Sequence, residues 1–271
     1  MSLSKYITIP PPQSLSKYVR FFWELEGNAS KKHYVHRAMA SGSAELVFHY
    51  NGVFDELVAD NKTIKSFTSG LDAQSDKVKR FSIDRDFGIF GAYLFPYAIP
   101  ALFSIPASEL TNQMLDLKIL FGKNENGLEE KIMLAKDTNE RVEILSTYLE
   151  HLLKKSRFEQ LGIFETINHI IKVKGKANID VLAERNFLSR RQFERNFKRS
   201  SGFSPKVFSR IIRFQSALQD LGSTKTLTQI GLDAGFTDQS HFIREFKVFS
   251  GYTPKEYFFN KGEGTEWRAM E

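Results

Sequence analysis

The stretches FERNFKRSSGFSPKVF (193–208) and FIREFKVFSGYTPKEYF (242–258) are two copies of one pattern. At a constant offset of 49 residues, Phe193 returns as Phe242, Arg195 as Arg244 and Phe197-Lys198 as Phe246-Lys247. Ser201-Gly202 returns as Ser250-Gly251, and Pro205 as Pro254. Upstream, LAERNFLS (182–189) parallels IGLDAGFT (230–237) with a one-residue slip. A gapless repeat of this density marks one supersecondary unit used twice.

The punctuation inside each copy predicts a helix, a tight turn and a second helix. In copy one, Asn178 caps a short helix that runs to Asn186, and Ser189 caps the next through its hydroxyl. In copy two, Thr226 with Gln229 makes a capping box, Gly235 gives the turn, and Thr237 or Asp238 opens the second helix. Both second helices stop at glycine, Gly202 and Gly251, where a left-handed residue costs least. Ser204-Pro205 and Thr253-Pro254 then start new helices, with proline at the first helical position and Glu256 completing a box with Thr253.

At 100° per residue, Phe193 and Phe197 share one side of the first copy's second helix, opposite Arg191, Glu194, Arg195 and Lys198. In the second copy Phe242 and Phe246 face inward, while Ser240, Ile243, Arg244 and Lys247 face outward with Gln239 at the leading edge. Long polar side chains on such a face suit base edges in a DNA major groove, where Arg pairs with guanine and Gln with adenine. The two copies are joined by an apolar-striped helix over 205–221, about 25 Å long. It can hold both units against one face of a duplex, roughly one turn (~34 Å) apart.

Residues 178–259 resemble the DNA-binding domain of the AraC/XylS family of bacterial transcription regulators, and GFTDQSHFIREFKVFSGYTPKEY (235–257) is close to that family's signature. The resemblance implies base reading by Arg191, Glu194 and Arg195 in the first recognition helix and by Gln239, Ser240 and Arg244 in the second. Phosphate contacts are expected from Ser189, Arg190, Lys198, Arg199, Lys206, Arg210, Thr237, His241 and Lys247. The chain departs from the family at Phe187, where the first turn usually has glycine, and at Gly231, where the second unit usually has alanine.

Charge follows the same division. Residues 172–261 hold 17 Lys and Arg against 8 Asp and Glu, and the remainder holds 21 against 24. A basic third on a slightly acidic body is the footprint of a module that meets a polyanion. With no cysteine, the chain has no disulfide, thiol nucleophile or thiolate metal site. That fits a reducing cytoplasm, and the alkyl-transfer chemistry that accompanies this DNA-binding module in some repair proteins is excluded with it. The N-terminus shows no secretory pattern, and no apolar run is long enough to span a membrane.

The first half reads as β. VRFFWELEG (19–27), AELVFHY (44–50), TIKSFTSG (63–70) and DFGIFGAYLF (86–95) are rich in aromatic and β-branched residues. Asn51-Gly52 predicts a hairpin between 45–50 and 53–58. Residues 138–155 read as an amphipathic helix, with a second over 158–173. The stretches 6–27 and 87–112 resemble a sensor-like domain often fused to such DNA-binding modules, which implies a small effector or a homodimer contact there.

The fold expected is α+β in two domains: an N-terminal β-barrel-like (cupin-like) domain with trailing helices (1–155), a linker helix (156–177), and an all-α domain with two helix-turn-helix units (178–261). The function expected is a cytoplasmic, non-enzymatic transcription activator whose partners are duplex DNA, RNA polymerase and a small effector, with no cofactor or metal. The competing reading is a cupin-like metal enzyme, with His33, His36, Glu45 and His49 as ligands, and helices that bind protein. Those four lack the usual cupin ligand spacing.

Overall fold

Alternation with a period of two builds the N-terminal half of the computed structural model, which describes residues 5–29, 33–58, 62–122, 127–156, 161–220, 223–259 and 263–265. Six strands form one antiparallel sheet in the order β1 (Lys5–Ile9), β2 (Val19–Gly27), β9 (Phe87–Leu94), β4 (Ala44–Asn51), β7 (Ser69–Asp72) and β10 (Met114–Asp116). A second sheet runs β3 (Tyr34–Ala38), β8 (Lys79–Ile83), β5 (Asp55–Leu57), β6 (Thr63–Lys65). The sheets are not closed into a barrel by strand pairing among the described residues, so the cupin-like half is an open two-sheet arrangement.

The larger sheet is buried on both faces. Phe22, Leu46, Phe48, Phe90, Ala92 and Leu94 point to one side, where they pack with Leu145 and Leu149 of α5 (Thr138–Lys155) and with α1 (Ala98–Phe103) and α4 (Leu128–Leu134). Glu24 is buried on that face and accepts hydrogen bonds from Thr138 Oγ1 (2.7 Å) and Arg141 Nη1 (3.1 Å). Trp23, Leu25, Ile89 and Tyr93 point the other way, toward Phe54, Phe87 and Ile83.

Gly52 takes the positive φ expected of it (+64°), but Asn51-Gly52 does not make the expected hairpin. β4 pairs with β7 and β9, whereas β5 pairs with β6 and β8, so the turn carries the chain from one sheet to the other. Local turn chemistry sets a reversal; which strand lies alongside is decided by the apolar faces each must bury.

The C-terminal half is helical: α6 (Leu161–Lys172), α7 (Ile179–Arg185), α8 (Arg190–Ser201), α9 (Pro205–Leu218), α10 (Leu227–Asp233), α11 (Gln239–Ser250) and α12 (Pro254–Phe259). Within the stretch expected as a linker helix, α6 packs into this half. Ile163, Phe164, Ile167 and Ile170 of α6 belong to the same core as Phe193, Phe208, Phe214 and Phe246. That core continues into the N-terminal half through Met39, Ala40 and Tyr97, and the Tyr97 and Phe164 rings stack 4.3 Å apart. No helix among the described residues is long and apolar enough to cross a membrane.

Candidate nucleic-acid interface

Caps place the two recognition helices where the repeat predicts them. Asn178 Oδ1 accepts from the Asp180 and Val181 amides to start α7, and Ser189 with Gln192 forms a full capping box at α8. Thr226 caps α10 through the Gln229 amide, although the Gln229 side chain turns to Asp233 instead of closing the expected box. Asp238, not Thr237, caps α11, accepting from the His241 amide at 2.8 Å. Gly202 (φ +86°) and Gly251 (φ +75°) end α8 and α11, and Thr253 with Glu256 boxes α12.

Phe193 and Phe197 of α8, and Phe242, Phe246 and Phe249 of α11, are buried. Gly231 is accounted for by this packing. A Cβ there would lie 3.0 Å from Phe242, so glycine makes room for the ring. Opposite these rings, Arg191, Arg195, Lys198 and Arg199 are exposed on α8, and Gln239, Ser240, Arg244 and Lys247 are exposed on α11, with Ile243 beside them. Lys206 is exposed at the start of α9. Each face is a mostly polar row of side chains on a helix backed by buried phenylalanines.

Several expected contact residues have intramolecular partners. Arg190 pairs with Asp180 (3.1 Å) and with Glu194 (3.2 Å), so Glu194 is half-buried under an arginine on its own helix. Ser189 is engaged in its capping box. Thr237 Oγ1 and His241 Nδ1 are 3.0 Å apart, and the His241 ring meets the edge of Phe236.

Arg210, expected at a phosphate, also has an intramolecular partner. Its Nε and Nη2 donate to the two oxygens of Glu245 at 2.6 and 2.9 Å, and its guanidinium lies 5.4 Å from the Phe249 ring. Glu245 is only 6% exposed. Burial pushes its carboxyl up, but the hydrogen bonds and charge of Arg210 outweigh that and hold it below the ordinary carboxylate range. The pair bolts α9 to α11. A signal for it existed: residues 242, 245, 246 and 249 share the inward face at helical spacing, so a glutamate at 245 needed an internal cation.

The N-terminal half holds a cavity of about 970 Å³ between the two sheets. Successive rungs of the larger sheet floor it, from Phe21, Tyr93, Glu45 and Asp72 at one level to Trp23 and Val47 at the next and Leu25, Ile89 and His49 beyond. Phe54, Phe67 and Phe81 complete its apolar wall, and Asp72, paired with Lys79, brings charge to the other end. Trp23 Nε1 is buried without a hydrogen-bond partner. His36, Glu45 and His49 all line the cavity but form no metal site; no group of three or more His, Asp or Glu suited to a metal ion exists among the described residues. His33 is exposed, and His49 Nδ1 lies 3.1 Å from the Thr68 carbonyl. Burial lowers His36 and His49 to about 4, which keeps both neutral.

The C-terminal half thus contains two units of helix, tight turn and helix, joined by α9. Residues 182–259 match a family model described as a helix-turn-helix domain. The C-terminal domain is an AraC-type helix-turn-helix domain. Over 78 residues it is 38% identical to the HTH-type transcriptional regulator ArgR of Pseudomonas aeruginosa, covering 28% of this chain and 24% of that one. Over 81 residues it is 35% identical to an HTH-type transcriptional regulator of Haemophilus influenzae, covering 30% and 27%. The match thus spans about a quarter of each relative. Residues 7–116 match a domain of unknown function. The whole chain resembles ToxT from Vibrio cholerae at 12% identity, with 96% of this chain and 97% of that one covered and a TM-score of 0.50. At that identity the likeness is one of fold: a sheet-rich N-terminal half joined to an AraC-type helix-turn-helix domain.

Proposed function

We propose that this protein is a cytoplasmic transcription activator that reads duplex DNA with α8 and α11 in successive major grooves and is controlled by a small effector in the N-terminal cavity. The observation that carries the reading is the matched pair of outward faces: Arg191, Glu194 and Arg195 on one helix, Gln239, Ser240 and Arg244 on the other, each backed by buried phenylalanines. Lys198, Arg199, Lys206 and Lys247 take the phosphate contacts, with Ser189, Arg190, Thr237 and His241 at the helix starts nearest the backbone. Arg210 is left out of this set because Glu245 holds it. RNA polymerase and a second copy of the chain are the protein partners of this reading, both from the family resemblance.

The test is binding of the full chain to random duplex DNA across a salt series. Several phosphate contacts should make affinity fall steeply, with a log–log slope of about −0.9 per phosphate neutralised. A folded chain that shows no binding at low salt removes the DNA reading. The effector arm is tested with the fluorescent probe 1-anilinonaphthalene-8-sulfonate. Binding that is lost when Val47→Trp fills the cavity supports a ligand site; emission unchanged by that filling places the probe elsewhere.

A further inference from the structure

The two walls of the cavity hold different helix-turn-helix units. From the six-stranded sheet, the segment after β7 supplies Gln74, which is fully buried and donates to Ala107 O (2.6 Å) and to Thr111 Oγ1 (3.1 Å). Thr111, which lies just before β10, donates in turn to Gly202 O at 3.1 Å, and Gly202 is the residue that ends α8. The Gln74 side chain fills the space a Cβ on Gly202 would need. The helix α2 (Ala107–Leu110) packs against α8 from the same side. The first unit is therefore seated on an extension of the larger sheet.

The four-stranded sheet holds the second unit. Arg37 of β3 and Arg80 of β8 are register partners, and both bind the Glu263 carboxylate, Arg37 Nε at 2.8 Å and Arg80 Nε at 3.0 Å. Burial pushes Glu263 up, yet these two arginines hold it below the ordinary range. Arg37 also stacks on Tyr252 (4.2 Å) and reaches Ser250 O (3.4 Å) at the end of α11. Beyond α12 the chain adds to the open edge of β3: Arg37 N donates to Gly264 O (2.7 Å), and Gly264 N donates to Val35 O (2.9 Å). Glu263 N in turn donates to Tyr252 Oη at 3.2 Å.

Strand alternation connects this grip to the cavity. On β3 and β8, His36, Ala38, Lys79 and Phe81 line the cavity, while Arg37 and Arg80, between them in sequence, hold the second unit. A change in the distance between the sheets therefore moves the seat of α11 relative to the seat of α8.

We propose that the two sheets, joined to each other at the Ser41–Ser75 bridge and the Lys79–Asp72 pair, act as handles, one on each helix-turn-helix unit, and that whatever fills the cavity away from those joins sets the relative placement of the two recognition helices. This rests on reading the cavity as the effector site. Because α9 and its phenylalanines tie the units together, the movement is a small repacking of about 1–2 Å, the size of helix shifts at switching interfaces. DNA with major grooves at a fixed spacing distinguishes the two placements.

The experiment fills the cavity without any ligand. The chain has no cysteine, so Val181→Cys on α7 and Val248→Cys on α11, both exposed, take spin labels uniquely. Label-to-label distance is measured in the full chain, in Val47→Trp, and in Ala38→Trp as a second filler from the opposite wall, with folding checked by circular dichroism. The expected result is a shift of about 1–2 Å in the mean distance in a folded filler. In a Glu263→Ala background the same filler should leave the mean unmoved and broaden the distribution. An unchanged distance in folded fillers from both walls overturns the proposal, as does a shift that survives Glu263→Ala intact. Failure of the effector reading shows separately, as absence of probe binding in the cavity of the unfilled chain, since the fillers act whether or not a natural ligand exists.

Discussion

The two helix-turn-helix units share their caps, their glycine stops and their paired phenylalanines, yet they differ at the turn. The second unit turns at Gly235 (φ +88°), where the absence of a Cβ makes a left-handed residue inexpensive. The first turns at Phe187, which holds φ +53° and is 96% exposed. A side chain with no burial in return for a left-handed backbone costs about 1–2 kcal/mol. The cores of the units are thus equivalent while their turns are not. The copies match at their buried phenylalanines and at the exposed pairs Arg195/Arg244 and Lys198/Lys247, and differ at the turn.

That equivalence breaks most visibly in the core. Phe197→Ala and Phe246→Ala remove matched, fully buried rings from one continuous cluster, so each should cost about 3–5 kcal/mol in denaturant unfolding. If only one of them unfolds the protein, the units are not energetically matched.

The Arg210–Glu245 pair exists only on the second unit's side, and its loss comes next in size. Arg210→Ala leaves a buried carboxylate unpaired, which for a pair with one partly exposed member should cost about 2–3 kcal/mol. Glu245 is held below its unfolded value, so the pair's contribution is present above pH ~4.3 and lost as pH falls through the folded value. Stability measured against pH should show that loss on the acid side in the wild type and a flatter profile in Arg210→Ala. Specific DNA affinity should fall no more than random-sequence affinity, because Glu245 holds the guanidinium.

Arg195→Ala and Arg244→Ala probe matched positions on the outward faces. Each should cost about 1–3 kcal/mol on a preferred site and relax base preference there, with stability unchanged. Equal losses on preferred and random DNA would reassign the residue to the phosphate backbone. Lys198→Ala and Lys247→Ala should instead weaken all sequences alike and flatten the salt slope by about 1 each.

The smallest changes sharpen the turn comparison directly. Phe187→Gly should stabilise the fold by up to about 1 kcal/mol, and Gly235→Ala should destabilise it by about 1 kcal/mol, read as opposite shifts in Tm. DNA affinity that drops in Phe187→Gly while stability rises would assign the exposed ring to a partner contact.

The helices of the C-terminal half were legible because each is written locally. A capping Ser, Thr, Asn or Asp, a glycine stop and phenylalanines four apart specify a helix and its inner face without reference to the rest of the chain. The strands at 19–27 and 44–50 were legible through alternation for the same reason. The Asn51-Gly52 pair shows where that ends: it encodes a reversal, but whether the next strand pairs with the last depends on which sheet can bury it. Arg210 shows it again. A basic residue on a mostly apolar helix reads as surface until Glu245, 35 residues on, is seen to face it.

By itself the sequence determined the two helix-turn-helix units, their caps, their buried rings and the side chains presented outward, because all of these follow from the helical period and short-range hydrogen bonding. Tertiary structure alone decided that α6 belongs to the helix-turn-helix core, that Glu263–Thr265 closes back onto β3, and that two sheets enclose a cavity with one unit seated on each. Those features join residues up to 229 positions apart. Such contacts are selected by burial and by pairing of opposite charges in the folded chain, and no local pattern carries them.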